Sequence, residues 1–334
     1  MANNILDFEK PLIELAAKIK ELQSFMDEKG LDLSDELKRL KKRAKNLEAE
    51  IYADLNTMQT LQIARHPNRP TASDYVNYVF DDFIELHGDR RFGDDKAMLG
   101  GIGLIDNKPF TLLGHQKGKT TKENLERNFG MAHPEGYRKA LRLMEQAEKF
   151  NRPIISLINT PGAYPGIGAE ERGQAEAIAK NLMEMSSLKV PIIVIVVGEG
   201  GSGGALGIGL GDRIMMLEYS YYSVSSPEAC AAILWKDSEK SPEAAEALKI
   251  TAKSLSSLGL IDRIIKEPAG GAHKDPVEAA RLVKKAIIES LDELSNLSTE
   301  ELVMKRYDKF RQIGEFTQNG SSKITGDLLK EEAE

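Results

Sequence analysis

An α/β fold whose core is a spiral of repeated strand–strand–helix units, preceded by a helical hairpin, is what this sequence predicts. Three observations carry the prediction. The all-apolar run Val190 to Val197 is apolar on both faces of a strand, the mark of a sheet covered on both sides, and it ends in Gly198-Glu199-Gly200-Gly201-Ser202-Gly203-Gly204-Ala205. From about Tyr75 onward, strands and helices recur as two strands and then a helix, without the regular eightfold alternation of a TIM barrel. Before that point the pattern is different, with two seams of coiled-coil type.

The seams come first along the chain. Leu12, Leu15, Ile19, Leu22 and Met26, and then Leu37, Leu40, Ala44, Leu47 and Ile51, recur three and four apart, which predicts two paired helices. Lys29-Gly30-Leu31-Asp32 supplies a stop, and Ser34 is placed to cap the second helix, with Asp35 and Glu36 beside its positive end. Residues 1–66 therefore read as a hairpin for packing or oligomerisation, with no chemistry assigned to it. His66-Pro67-Asn68-Arg69-Pro70 breaks the helical pattern and marks the boundary of the next unit, expected over 75–295.

Within that unit, Met98 to Ile105 and Phe110 to Leu113 read as paired strands joined by Asp106-Asn107-Lys108-Pro109. Tyr137, Leu141, Met144 and Ala147 mark a helix, Pro153 to Ile158 the next strand, and Ala175, Ile178, Leu182 and Met185 the face of a helix beginning near Glu170. Beyond the glycine turn come short strands near Ile214 to Leu217 and Tyr221 to Val224. Helical segments follow near Pro227 to Trp235 and Pro242 to Leu255, then a strand at Leu260 to Ile265 and a helix over Asp275 to Leu294. Residues 296–334 are expected to add a C-terminal helix and a polar tail, loose after Gly320.

Composition narrows the function classes. The chain has 334 residues, 41% of them hydrophobic, enough for a sizeable core. Its longest apolar run falls far below the roughly 20 residues of a spanning helix, and Met1 to Lys10 lacks a leader pattern, so a cytoplasmic protein with no membrane association is expected. The net charge of −7 argues against nucleic acid as the main partner. The single Cys230 excludes an internal disulfide framework and reads as a small packed side chain. His66, His87, His115, His133 and His273 show no metal-ligand spacing, so no metal is expected.

The glycine turn carries the sharpest chemical signal. Residues without Cβ let a substrate oxygen approach main-chain N–H groups that side chains would shield, which is the composition of an oxyanion hole. Gly200-Gly201-Ser202-Gly203-Gly204 also satisfies G-x-S-x-G, so a serine hydrolase using Ser202 with Asp262 and His273 is the alternative. Extra glycines on both sides would relax a nucleophile elbow, and oxyanion binding is the favoured reading. Asn159-Thr160-Pro161-Gly162-Ala163-Tyr164-Pro165-Gly166 lies at another strand end, where it and the glycine turn can line one crevice. Gly114-His115-Gln116-Lys117-Gly118-Lys119-Thr120 has three residues where a Walker A loop has four, so an ATP site is not expected there. Lys117, Lys119, Lys122 and Arg127 remain second-tier candidates for an anionic ligand.

These stretches together resemble the alpha subunits of the acetyl-CoA carboxylase carboxyltransferase of bacteria and plastids. The likeness also takes in Leu6-Asp7-Phe8-Glu9, Ala64-Arg65-His66-Pro67, Arg127-Asn128-Phe129-Gly130-Met131, Pro134-Glu135-Gly136-Tyr137-Arg138-Lys139-Ala140, Ala169-Glu170-Glu171-Arg172-Gly173-Gln174 and Glu267-Pro268 to His273. Asn159 stands where the family pattern has Asp, and Ser225 where it has Ile. The resemblance implies a crotonase-like (ClpP/crotonase) spiral and a carboxyltransferase active only with a beta subunit, as alpha2beta2, the active site lying between them. It implies transfer of a carboxyl group from carboxybiotin, on a biotin carboxyl carrier protein, to acetyl-CoA, giving malonyl-CoA, while a separate biotin carboxylase uses ATP. No cofactor is expected to be covalently bound to this chain. The catalytic groups implied are the N–H groups of Gly203 and Gly204 on the ureido oxyanion. Gly200, Gly201, Gly162, Ala163, Tyr164 and Gly166 would shape the substrate site.

Overall fold

The computed structural model describes residues 6–30, 32–318 and 321–324. The two seams become α1 (Lys10–Lys29) and α2 (Ser34–Ala53), which lie against each other. Gly30 ends α1 in the left-handed conformation, its N–H bonded to the Met26 carbonyl at 2.9 Å. The expected cap of α2 is corrected. Ser34 is the first helical residue, and Asp32 caps instead, accepting from the Ser34 N–H at 3.1 Å and from its hydroxyl. Asp32 sits two residues ahead of the first amide it serves, the usual reach of an Asx turn. The hairpin is tied to the body where Tyr52 donates to Glu9 (2.5 Å) and Lys274 pairs with Glu9 (3.0 Å).

After α3 (Thr57–Ala64) and α4 (Ala72–Val79), the strands begin: β1 (Asp82–Glu85), β2 (Met98–Ile105) and β3 (Lys108–His115). They are antiparallel neighbours, and Asp106 and Asn107, both left-handed, form the tight turn between β2 and β3. Next come α5 (Thr121–Glu126), α6 (Pro134–Lys149), β4 (Ile154–Thr160), α7 (Ile167–Glu171), α8 (Gln174–Ser187) and β5 (Ile192–Gly201). They are followed by α9 (Ser202–Leu206), β6 (Arg213–Leu217), β7 (Tyr221–Ser223), α10 (Pro227–Trp235), α11 (Ser241–Leu248), α12 (Ala252–Ser257) and β8 (Arg263–Ile265). The main sheet runs β1-β2-β3-β4-β5-β6-β8, parallel from β3 onward.

Strand β5 is apolar on both faces because both are covered. Ile192, Val194 and Val196 pack with Tyr137, Met144 and Met185 on one side; Ile193, Ile195 and Val197 pack with Val76, Val283 and Ile287 on the other. It also runs past the apolar stretch. Glu199–Gly201 leave the main row and pair in parallel with Tyr221–Ser223, after a register shift against β4 between Ile158 and Thr160. The sheet turns a corner there, which sets the glycines at its carboxyl edge.

Other expectations shift in detail. The segment expected to be one helix from Pro242 to Leu255 is two, split at Lys249 in the left-handed conformation, and the helix expected to begin near Glu170 is likewise split at Gly173. The buried side of α8 is Gln174, Ala177, Asn181 and Met185; of the expected face Met185 lies on it, Ile178 packs half-buried against the same core, and Ala175 is exposed. A buried Asn escapes a hydrophobicity count, yet Asn181 donates to the carbonyls of Tyr137 (3.0 Å) and Gly207 (2.9 Å) and joins α6, α8 and the end of α9. Of the tail expected to be loose, Ser321–Ile324 pair with Glu315–Gln318 as β10 and β9, and residues 325–334 lie outside the described residues.

The C-terminal helix α13 (Pro276–Leu294) covers one face of the sheet over β5 and β8, and α14 (Thr299–Arg311) packs beside α8. Arg306 of α14 is fully buried and donates twice to Asp212 (2.8 Å each) and to the carbonyls of Met185, Leu188 and Val190 at 2.7–3.0 Å. Asp212 accepts in turn from the Ile192 N–H at 2.7 Å, where β5 starts. Replacing Arg306 by Ala leaves that carboxylate buried without its counter-charge, so urea denaturation should show a loss of about 3–5 kcal/mol. Arg306→Lys, which cannot reproduce the forked geometry, should recover little of it.

Candidate active site

Two loops meet at the carboxyl ends of β4 and β5. A Cβ on Gly201 would overlap the Pro161 carbonyl, and one on Gly204 would overlap the peptide between Gly162 and Ala163. The two backbones therefore touch with nothing between them, which only glycine at 201 and 204 permits. The loop of residues 159–166 is braced from its other side. The Thr160 hydroxyl donates to the Gly162 carbonyl (2.6 Å), Gln174 donates to the Tyr164 carbonyl (3.0 Å), and the Tyr164 ring stacks on His133 at 4.2 Å. Gly166 leaves the space that the Tyr164 ring occupies.

Residues 202–204 open α9, so their N–H groups have no carbonyl four residues back within the helix, and no side chain caps them. Gly203 differs from its neighbours. The nearest atom to a Cβ built there is Ile178 Cδ1 at 3.8 Å, so packing does not demand a glycine at this position. Below the turn, the Tyr137 hydroxyl donates to the Gly204 carbonyl at 3.2 Å. His115 lies beside the same carbonyl, and complete burial holds its pKa down to about 3, keeping the ring neutral.

The serine-hydrolase arrangement is not assembled. Ser202 does have the strained backbone of an elbow, at φ 55°, and its side chain is exposed. Asp262, however, accepts from the Ile214 N–H (2.6 Å) and from Lys309 at the opposite edge of the sheet. Ile214 pairs with Val194, and the strand from there to Ser202 spans roughly 25 Å. His273 stacks on His66 at 3.9 Å, and its pKa is held to about 3 by burial and then by the neighbouring His66. Neither group reaches Ser202.

The corner of β5 also carries a charge network that the sequence did not reveal. Glu199 is 6% exposed and accepts from Arg65 Nε (2.7 Å), from the Tyr221 hydroxyl (2.9 Å) and from Lys117. Burial alone would raise its pKa, but the charges of Lys117 and Arg65 outweigh that and hold the carboxyl at about 2. A carboxylate so held accepts hydrogen bonds and is poorly suited to shuttling protons near neutral pH. Arg65 continues to Glu228 at the start of α10 (2.7 Å). Arg65 ends α3 within a stretch that carries the family resemblance but no chemical motif of its own, and only the corner of β5 brings Glu199 to it.

A cavity of about 480 Å³ opens beside this network, lined by Arg65, Lys117, Phe129, Met131, Pro161 and Glu199 among others. Of the second-tier cations, Lys117 is there. Lys119 pairs with Asp74 (2.5 Å), Arg127 donates to the Lys96 carbonyl (3.0 Å), and Lys122 stays on the exposed side of α5. The loop that resembles a phosphate cradle has spent its amides, since Gly118 N–H donates to Asn124 (3.0 Å) and Lys119 N–H to Glu123 (2.8 Å). Asn159 accepts from the Glu199 N–H at 3.1 Å, a bond for which an amide oxygen serves as well as a carboxylate. Ser225 donates to the Ser226 carbonyl (3.3 Å) just before α10. Among the described residues, no group of three or more His, Cys, Asp or Glu can hold a metal ion, and no helix is long and apolar enough to cross a membrane.

Comparison with known proteins bears on this geometry. Residues 5–314 match the family described as acetyl co-enzyme A carboxylase carboxyltransferase-like. An acetyl-coenzyme A carboxylase carboxyl transferase subunit alpha from Oceanobacillus iheyensis is 60% identical over 312 residues, covering 93% of this chain and 98% of that protein. The subunit of the same description from Trichormus variabilis is 56% identical over 314 residues, covering 94% and 96%. Among solved structures, a malonate decarboxylase hetero-tetramer of Pseudomonas superposes with TM-score 0.54 at 18% identity, covering 65% of this chain and 86% of that one. Transcarboxylase 12S superposes with TM-score 0.53 at 18% identity, covering 68% and 44%. The fold is thus the mixed α/β, crotonase-like fold of carboxyltransferases.

Two outcomes follow from packing and charge. Gly204→Ala should lower stability by about 1–3 kcal/mol in a denaturation experiment, while Gly203→Ala should fold with little change. Glu199 has a depressed pKa, so its contribution is complete above the ordinary value of 4.5 and is lost as pH falls towards 2. The stability gap between wild type and Glu199→Gln, measured by urea midpoints, should shrink as pH is lowered from about 5 towards about 2. A gap independent of pH would contradict the assignment.

Proposed function

The chain belongs to the family of acetyl-CoA carboxylase carboxyltransferase alpha subunits, and from that premise we propose how its glycine turn serves the transfer. The substrates in this reading are carboxybiotin, delivered on a biotin carboxyl carrier protein, and acetyl-CoA. The carboxyl leaves N1 of biotin as carbon dioxide, and the bonding pair stays behind as negative charge shared with the ureido oxygen. N1 then takes a proton from the acetyl methyl group, and the resulting enolate carbon bonds to carbon dioxide to give malonyl-CoA. No side-chain base is needed, in keeping with a Glu199 that is locked as a carboxylate.

The chain contributes fixed donors. N–H groups of Gly203 and Gly204 point at the ureido oxygen, which is where charge develops, and they need no reorganisation as it does. Gly200 and Gly201 shape the approach, and Gly162, Ala163, Tyr164 and Gly166 form the facing lip. The observation that carries this reading is the open space at Gly203 beside amides without intrahelical partners. A side chain would fit at Gly203, so its absence is explained by something that must come close. In this reading a beta subunit completes the site in an alpha2beta2 assembly, a biotin carboxylase spends the ATP, and residues 1–66 serve packing or oligomerisation in a cytoplasmic complex.

The test is reconstitution with a beta subunit and assay of malonyl-CoA decarboxylation against a biotin derivative. Gly203→Val should cost roughly 2.7–4 kcal/mol in the barrier, a 10²–10³-fold loss, while the chain stays folded. Ser202→Ala should be mild, keeping most of the activity. Near-complete loss in Ser202→Ala with full activity in Gly203→Val would reverse the assignment in favour of serine attack.

A further inference from the structure

The loop between α5 and α6 holds a strain that the transfer chemistry leaves unused. Asn128, Phe129 and Gly130 are three consecutive left-handed residues, at φ 46°, 55° and 83°. Glycine adopts that conformation freely and asparagine tolerates it, but a bulky aromatic does not, because its Cβ crowds the following carbonyl oxygen. The surroundings impose it. Gly130 N–H bonds the Arg127 carbonyl (2.8 Å), Met131 N–H bonds the Asn128 carbonyl (2.9 Å), and a Cβ on Gly130 would stand 2.8 Å from the Asn159 carbonyl oxygen.

What the strain achieves is exposure. Phe129 is 44% exposed and lines the cavity with Met131 and Pro161, and Pro161 is the residue whose carbonyl packs against Gly201. The loop thus holds an aromatic residue, at a cost in both backbone energy and solvation, at a cavity that reaches Pro161 and Glu199, beside the residues of the glycine turn. Strain of this kind gathers where a ligand is gripped. The cations lining the cavity are already paired, Arg65 with Glu199 and Glu228, Lys117 with Glu199 and Arg69 with Glu267, so the site suits an uncharged, flat ligand portion better than a phosphate.

We propose that Phe129 contacts substrate: its ring is the apolar wall against which the fused rings of biotin lie while the glycine amides hold the ureido oxygen. The inference rests on the functional reading above and adds a residue that reading does not contain. It assigns Phe129 to the binding of one substrate, which separates it from a structural plug.

The experiment uses the full chain reconstituted with its beta subunit, biocytin and malonyl-CoA as substrates, and three proteins: wild type, Phe129→Gly and Phe129→Tyr. Phe129→Gly should raise KM for biocytin about fivefold to tenfold, with KM for malonyl-CoA unchanged and the melting temperature equal or higher because the strain is relieved. Phe129→Tyr keeps the ring and should keep the wild-type KM. An unchanged KM for biocytin, a rise for malonyl-CoA alone, or a clear fall in melting temperature with both KM values rising together would each overturn the inference. Wild-type turnover of both substrates is the separate test of the functional reading, so a working wild type with an indifferent Phe129→Gly refutes this proposal alone.

Discussion

The contact on which this site depends is the bare meeting of two backbones. Gly201 rests on the Pro161 carbonyl, and Gly204 on the peptide between Gly162 and Ala163. With no side chain between them, the loops after β4 and β5 are held at a fixed separation, and α9 starts where the turn leaves it. The contact thereby fixes the position of the amides at its start, which no side chain caps. A fixed set of main-chain donors is suited to meeting a charge that appears only during reaction. The strand-end crevice is where open α/β sheets gather ligands, and here the corner in β5 brings the crevice into being.

Charge pairs keep that corner in place. Glu199, the residue at the bend, is held by Arg65, Lys117 and Tyr221, and Arg65 ties the same point to α10. One step further out, Arg69 forms a forked pair with Glu267 at 2.6 and 2.9 Å and donates to the Val197 carbonyl at 2.6 Å. Both side chains are almost wholly buried, 2% and 0% exposed, and Glu267 also accepts from the N–H groups of Tyr219 and Ala272. A buried pair with its remaining lone pairs satisfied is costly to break and fixes geometry, whatever its net stabilisation. The segment that reads in the sequence as a boundary, His66 to Pro70, thus straps the end of β5 to the end of β8.

Much of the fold was legible because its strongest elements obey simple periods. The apolar run of β5, the stripe of α6 and the pairing of β2 with β3 follow from apolar runs, helical spacing and turn composition, although Lys108 and Pro109, expected in the connection, already belong to β3. The departures have separate causes, one set by distant partners and two by local backbone. Asn181 is buried because two distant carbonyls need a donor, Asp32 rather than Ser34 caps α2, and Lys249 interrupts a helix that composition alone would carry through. The glycine turn and the loop of residues 159–166 stood out as strand-end glycine clusters, and the structure brings them together. Arg65, Glu199 and the strained Phe129 did not stand out as a set, because their proximity arises from a corner in the sheet that no local pattern announces.

The account reduces to main-chain amides meeting the ureido oxygen of biotin. A crystal structure of the complex with a beta subunit and biocytin tests this most directly. The prediction is a ureido oxygen about 2.7–3.1 Å from the amide nitrogens of Gly203 and Gly204, with Ser202 Oγ apart from the reacting atoms. A ureido oxygen held by a side chain, or a biocytin ring bound away from the meeting of the two loops, would contradict it.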